Sequence, residues 1–478
     1  MTSSINTALI SSMLLDQACE SRFDCEERHQ PKYHARTSQG TPDAAHGGRG
    51  GGSDLGLAGV PSHRRSTSSS EFHLRRHHFQ MSSWFGRWQE LPPELVCRIG
   101  DNLDLKCYVS ARGACTAWRS ALAPPSPSLL AAPVDAHRLR RSPPSPSAAS
   151  IAAHRAFELK AIPTRGAQCV GSSNGWLALS AYYDEHIFSL FNPITGTEIM
   201  VPPLVCGSKW MSKLVFAPNP ARDDFAAAAI CDMDTLAYAT AEARRWAILD
   251  PVCLAAGDKF VDLVYHEKEG RVYCLTSYGD VHTLRLPERR RRQESITPSS
   301  SPAEHPAADL NASSATVEPL LPLPFDPATG FPPPYNTLSG FTSAKNLVFC
   351  QGNLHQIWRN TSCTVTLRLP AGGGHRRVAE NQVFVLRYYP GRQPCWDAVT
   401  DLGGYSVFVG RNNAVSMYAQ GVPGLKGNCV CWIGGRGRDL GMVFDMATGR
   451  STPCLLPAVA SCCWFMSRNG EVAIVSLY

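Results

Sequence analysis

Apolar residues along this chain follow two different periods. Between Trp84 and Leu122 they recur at helical spacing: Leu95, Ile99 and Leu103 lie four apart, and Cys115, Trp118 and Leu122 follow at i, i+3, i+7. Leu91-Pro92-Pro93-Glu94 opens the first helix, because proline suits a first turn and glutamate there complements the helix dipole. A second short helix over Leu105 to Arg112 turns Tyr108 and Val109 inward, and Gly113 breaks it. Three short helices in about 40 residues bury too little surface to be robust alone, so this unit is expected to dock onto something.

Beyond Ile162 the period shortens to two. Short apolar runs separated by turn residues include Trp176-Leu-Ala-Leu-Ser180, Ile187 to Phe191, Phe260 to Tyr265, Gly270 to Leu275 and Val281 to Leu286. They continue through Asn346 to Cys350, Gln382 to Leu386, Tyr405 to Val409, Cys429 to Ile433 and Met442 to Asp445. No long amphipathic helix interrupts them, which makes the region all-β. Phe191-Asn-Pro-Ile-Thr-Gly196 and Phe444-Asp-Met-Ala-Thr-Gly449 share one form, and Asn or Asp with Gly suits a tight turn between strands. Phe325-Asp-Pro-Ala-Thr-Gly330 has the same form inside a proline-rich stretch. Recurrent strand–turn units predict a propeller, and the length beyond residue 165 leaves room for about six blades of ~45 residues.

Composition separates these regions from the rest. Glycine (38) and proline (36) cluster in three places. Residues 1–83, with GGRGGG at 47–52, form an expected disordered leader. Residues 123–160 form a Pro/Ser-rich linker, and 288–324 a disordered insert within the β domain at 161–478. The net charge of +6 sits mostly in residues 84–160, where 10 basic residues face 6 acidic ones, so 10 − 6 = +4. The β region is nearly neutral, which argues against nucleic acid as principal partner. No apolar run approaches the ~20 residues needed to span a bilayer, so no membrane partner is expected. The 18 cysteines lack C-x-x-C pairs and a secretory leader, which predicts reduced thiols in cytoplasm or nucleus and no metal. His73, His77 and His78 have helical spacing without acidic or cysteine companions.

Trp88-Gln-Glu-Leu91-Pro92-Pro93-Glu-Leu95, then Ile99 and Leu103, then Cys115-x-x-Trp118-Arg119, resembles an F-box. The resemblance implies docking to a Skp-type adaptor and through it to a cullin. It assigns Leu91, Pro92, Leu95, Ile99, Leu103, Val109, Cys115 and Trp118 to the F-box core or the adaptor-facing surface. The chain departs from the pattern at Gly113-Ala114, where larger residues are usual. Ser172-Ser-Asn-Gly-Trp-Leu-Ala178, Leu190-Phe-Asn-Pro-Ile-Thr-Gly196, Leu402 to Asn412 and Pro423 to Cys429 are similar to the KIB-type β-propeller of plant F-box proteins. The expected molecule is thus mainly β: a propeller preceded by a three-helix F-box at 84–122 and the leader. It would act as the non-catalytic substrate-recognition subunit of a Skp–cullin–F-box ubiquitin ligase. No cofactor is implied, and the protein substrate and its binding residues are unknown.

Four further patterns are weighed against this expectation. Gly171-Ser-Ser173-Asn-Gly175 fits the G-x-S-x-G nucleophile elbow, which needs a strand before the serine and a helix after it. A β-turn opening the first blade fits better, because Trp176 to Ser180 reads as strand. Gly435 to Gly441 has the wrong spacing for a phosphate loop, and Arg289 to Arg292 serves either a nuclear signal or a solvated loop. Asn311 and Asn360 begin formal glycosylation sequons. The alternatives to a ligase subunit are a propeller scaffold acting outside one and, ranked after it, a hydrolase that uses Ser173.

Overall fold

A computed structural model of the chain describes residues 88–126, 128–131, 147–159, 168–180, 187–203, 211–250, 252–287, 315–321, 325–342, 344–369, 374–433, 441–454 and 462–466. The chain divides into units Met1–Leu91 and Pro92–Tyr478, and all that follows concerns the second, apart from the burial of Leu91, the last residue of the first. The expected leader, His73, His77 and His78, and Arg289–Arg292 lie outside the described residues.

Five antiparallel or mixed sheets succeed one another between Gln168 and Pro453. The first blade holds Gln168–Ser173, Trp176–Ser180, Phe188–Phe191 and Glu198–Val201. The second holds Met211–Phe216, Ala226–Cys231, Thr235–Thr240 and Ala247–Ile248; the third Phe260–His266, Arg271–Thr276, Val281–Arg285 and Thr316–Pro319. The fourth pairs Ala344–Cys350, Asn353–Arg359, Val383–Tyr388 and Trp396–Ala398, with a hairpin of Val365–Arg368 and His375–Val378 inserted. In the fifth, Val415–Tyr418 lies innermost beside Tyr405–Val409, which runs parallel to Cys429–Ile433. Gly441–Asp445 and Arg450–Pro453 complete it.

The expected count of about six blades is corrected to five. The length argument assumed even units, whereas the fourth blade carries an extra hairpin and the fifth an extra strand. A further four-stranded sheet draws on both chain ends: Cys462–Phe465 pairs with Ser128–Ala131, which pairs in turn with Ser147–Ser150 and then Arg155–Glu158. Three strands therefore lie within residues 123–160, read from proline content as linker. The prolines flank these strands, so no ladder bond is lost. The expected insert also ends sooner, since Thr316–Pro319 is the outer strand of the third blade.

Adjacent sheets enclose the cores. Ala227, Ala229 and Cys231 join Val170, Phe188, Leu190 and Phe216 between the first and second blades. Ala226, Ala228 and Ile230, on the opposite face of the same strand, join Phe260, Leu263 and Leu284 between the second and third. A strand buried on both faces shows no polar alternation, and small side chains let the sheets close up. Trp358 and Trp396 fill the third-to-fourth core, Val407 and Trp432 the fourth-to-fifth.

His355, in the second strand of the fourth blade, is buried with Nδ1 3.0 Å from the Asn353 carbonyl. Burial, opposed by that carbonyl and reinforced by Arg387, pushes its pKa down from 6.5 to about 4. The unfolded chain takes up this proton first as pH falls, so the group's contribution is complete above pH ~6.5 and is lost toward pH ~4, on the order of 3 kcal/mol. The melting temperature is expected to fall more steeply across that window in the wild type than in His355→Gln. Parallel pH profiles would show that the group titrates alike in both states.

Two of the three expected repeats of the Phe-Asn/Asp turn have one geometry. Asn192 Oδ1 accepts from Ile194 and Thr195, Asp445 Oδ1 from Ala447 and Thr448, and both turns close on a glycine N–H 2.8 Å from the first carbonyl. Gly196 and Gly449 sit at φ of +74° and +66°, a region that favours glycine. Phe325 to Gly330 instead enters a short helix, Pro327–Gly330, capped by Asp326.

Candidate functional site

Inner strands of the first three blades each carry an irregularity at one place: the registers shift between Cys169 and Gly171, Met211 and Lys213, and Phe260 and Asp262. A bulge leaves one residue unpaired and re-aims its neighbours. Here the re-aimed residues meet at the centre of the ring. Lys213 Nζ lies 2.8 Å from Asp262 Oδ1, both buried, and donates to the Asn412 carbonyl at 2.9 Å. Asp262 Oδ1 also accepts from Leu263 N, and Oδ2 from Leu347 N at 2.8 Å and Asn346 Nδ2 at 3.2 Å. Asn413 Oδ1 accepts from Ser172 N at 2.7 Å while its Nδ2 donates to the Leu263 carbonyl. Asn412 Nδ2 donates to Ser172 Oγ and to the Trp464 carbonyl, and its Oδ1 accepts from Trp464 N. The Asn412-Asn413 pair thus ties the first and third blades to the closing sheet. Gly171 belongs to the same packing, since a Cβ there would collide with the Leu214 carbonyl oxygen.

Above this hub opens a cavity of about 670 Å³, lined where the inner strands begin, by Gln168, Met211, Ala344, Arg359, Arg411 and Trp432 among others. Arg359 lies with its guanidinium 4.2 Å from the Trp432 ring centre and donates to Asn381 Oδ1 at 3.3 Å. Burial pushes its pKa down to about 10. Arg411 is exposed. Lys345 donates at 2.7 Å to the carbonyls of Ser277, Ser339 and Thr342, which join the third blade to the fourth.

Helices α1 (Pro93–Gly100), α2 (Leu105–Ala114) and α3 (Thr116–Ala121) form close to where the sequence places them, with one correction: Gly113 does not break α2, which continues through it to Ala114 and ends where Cys115 turns extended. Asp104 caps α2 through Cys107 N, and Cys115 Sγ accepts from Trp118 N ahead of α3. Val96 (1% exposed), Gly100, Tyr108, Val109, Trp118 and Leu122 are buried. The i, i+4 stripe lies elsewhere: Leu95 is 45% exposed, Ile99 and Leu103 half-buried, and Pro92 exposed. Cys115 and Leu91 are half-buried. Of the eight positions expected from the F-box resemblance, only Val109 and Trp118 are buried, so one apolar edge of α1 faces outward while Val96 turns inward. Gly113 has open space around its Cα and Ala114 is exposed, so the departure there leaves no packing void.

Arg155 fixes the helices to the closing sheet. It donates to the carbonyls of Gly100 and Leu103, the latter at 2.8 Å, and lies 3.8 Å from Asp101. Its guanidinium stacks 4.3 Å over Phe157, whose ring meets Tyr108 edge-on at 4.9 Å. Arg155 pairs with Ser150, Ser150 with Ser128, and Ser128 with Phe465, the end of that sheet's inner strand. The cavity lies where inner strands begin, so the helices and the cavity occupy opposite faces of the ring.

Competing patterns resolve locally. Ser173 ends a strand, and Asn174-Gly175 turn the chain into another strand, so no helix follows the serine. Asn360 is buried and donates to the Cys363 and Ala379 carbonyls, which makes its sequon inaccessible. Asn311 and Gly435 lie outside the described residues. Thirteen of the described cysteines are free, six of them buried, and no described group of His, Cys, Asp and Glu is arranged for a metal. No described helix is long and apolar enough to cross a membrane. Of the hub residues, Gly171, Ser172 and Asn412 fall within motifs named from the sequence, whereas Lys213, Asp262 and Asn413 were not singled out; their signal was an aspartate inside the apolar run Phe260 to Tyr265 and a lysine inside Met211 to Phe216.

No curated protein matches the chain. Among solved structures, the β-propeller domain of Cps50 (Swd1) from Myceliophteria thermophila is 14% identical with a TM-score of 0.28, covering 63% of this chain and 73% of that one. Hsv2 from Kluyvelomyces marxianus is 8% identical with a TM-score of 0.23, covering 51% and 61%. Neither likeness carries a functional argument. The family profile described as KIB1-4 beta-propeller matches residues 145–451, from the second strand of the closing sheet through the fifth blade, and the chain belongs to that family.

Proposed function

We propose that this protein is the substrate-recognition subunit of a Skp–cullin–F-box ubiquitin ligase. In this reading α1 docks a Skp-type adaptor and the propeller holds a target protein. The observation that carries it is the outward apolar edge of α1, with Leu95 at 45% exposure on a helix whose other side is packed. An apolar edge left open on a short helix gains stability from a partner that covers it. The work of such a subunit is positioning: a target held near a charged conjugating enzyme gains effective concentration, with no chemistry done by the propeller itself.

Covering a leucine side chain is worth about 1.5–3 kcal/mol, or roughly ten- to hundredfold in affinity. Leu95→Asp is expected to abolish co-purification of a Skp adaptor and cullin while leaving thermal unfolding unchanged, because the side chain packs little within the chain. Undiminished recovery of the adaptor would sink the assignment. The Arg155 clamp favours a second reading, in which the helices are a structural annex of a scaffold outside any ligase. A pull-down that recovers partners but no cullin would decide for it.

A further inference from the structure

We infer that the cavity on the face opposite the helices docks an acidic segment of a partner protein, with Arg359 and Arg411 as its anchors. The inference deepens the receptor reading, and rests on it only for calling that partner a ubiquitination target.

Charge comes first. The lining includes Lys213, Lys345, Arg359 and Arg411 and no carboxylate among the described residues. Two of these cations are already engaged: Lys213 by Asp262 and the Asn412 carbonyl, Lys345 by three carbonyls. Arg359 and Arg411 have no described carboxylate partner. The Arg359 guanidinium also lies over the Trp432 ring, with one donor on Asn381 and no other hydrogen-bond partner among the described residues. A planar guanidinium pre-set in this way loses little freedom on gripping a carboxylate in a bidentate pair. Partial burial strengthens the pull, since the charge is poorly hydrated and is not offset by an anion among the described residues.

Extent comes next, and it favours a peptide over a small anion. Three large apolar side chains stand exposed on the same face. Phe341 leads into the inner strand of the fourth blade, and Met233 follows the strand whose end, Cys231, pairs with Met211. Ile187 precedes Phe188, which pairs with Ser180 and thereby with Gln168. A cationic centre ringed by separated apolar anchors matches an extended chain carrying both carboxylates and apolar residues. Two uncommitted guanidinium groups on a nearly neutral domain are too few for a nucleic-acid backbone, where many phosphate contacts supply the affinity.

The test uses the full chain and a fluorescein-labelled peptide of about twelve residues, Asp and Glu alternating around a central Leu-Phe pair, followed by fluorescence anisotropy. Its Asn/Gln counterpart and a thymidine oligonucleotide of equal length are the comparison probes. The acidic peptide is expected to bind at least about tenfold more tightly than either, and less tightly as salt is raised. Arg359→Gln with Arg411→Gln should weaken it about tenfold or more, whereas Arg285→Gln, an exposed strand residue outside the cavity, should change nothing. If the double variant melts early, Arg411→Glu alone, at an exposed position, carries the same expectation. Equal binding of acidic and neutral peptides, undiminished binding by a folded variant, or preference for the oligonucleotide would overturn the proposal. Leu95→Asp should leave peptide binding unchanged, so loss of adaptor docking and loss of this site read out separately.

Discussion

Asp262→Ala is expected to destabilise the propeller by about 3–5 kcal/mol, read as a fall in the denaturation midpoint without a change in slope. The carboxylate accepts from Lys213 of the second blade, from its own neighbour Leu263, and from Asn346 and Leu347 of the fourth. Its removal strands a buried ammonium and a buried amide in one step. Lys213 keeps only the Asn412 carbonyl, which lacks the charge to balance it. Asp262→Asn preserves the shape and still strands the ammonium, so it should fall most of the way to alanine. Lys213→Met combined with Asp262→Leu should recover part of the loss, because no charge remains. Recovery stays incomplete, since Leu347 N still lacks an acceptor, a deficit of about 1–3 kcal/mol. A single variant within about 1 kcal/mol of wild type would show that the pair is not what joins these blades.

Much of the strand pattern was visible in the sequence because β-branched and aromatic residues alternate there. Phe260–His266, Arg271–Thr276 and Cys429–Ile433 form close to where their patterns begin and end. Ala226–Cys231 was not visible: four consecutive alanines have helical propensity, and only burial between two neighbouring sheets makes them strand. Ser128–Ala131 was hidden by the prolines around it, and its partner Cys462–Phe465 lies more than three hundred residues away. No local pattern encodes such a pairing. The helices were legible as helices, but the stripe Leu95, Ile99, Leu103 did not mark the packed side of α1, which is Val96 and Gly100. A periodicity identifies an apolar face without saying whether the chain or a partner covers it. Arg359 was illegible for a related reason, since its significance comes from the Trp432 ring beneath it, contributed by a different blade.

The same long-range closure makes Trp464→Ala the second large effect. Trp464 is buried in the inner strand of the closing sheet, its ring edge-on to Phe408 at 5.0 Å and its Nε1 donating to the Val409 carbonyl at 3.0 Å. Its backbone holds Asn412 from both sides, so the side chain fixes the residue that spans the hub. Truncation to alanine leaves a cavity the size of an indole and an unpaired carbonyl, a cost of about 3–5 kcal/mol. Trp464→Phe retains most of the ring contact with Phe408 and should lose only about 1–2 kcal/mol with the hydrogen bond. The loss has an address. Ser128–Ala131 pairs directly with this strand, and Arg155, two strands further out, clamps α1. Hydrogen exchange in Trp464→Ala should therefore accelerate first in residues 128–131 and 155–158 and in α1, ahead of the second and third blades. If those segments keep their protection while the whole ring loosens evenly, the sheet is not a separate closure, and the helices are held by the propeller as a whole.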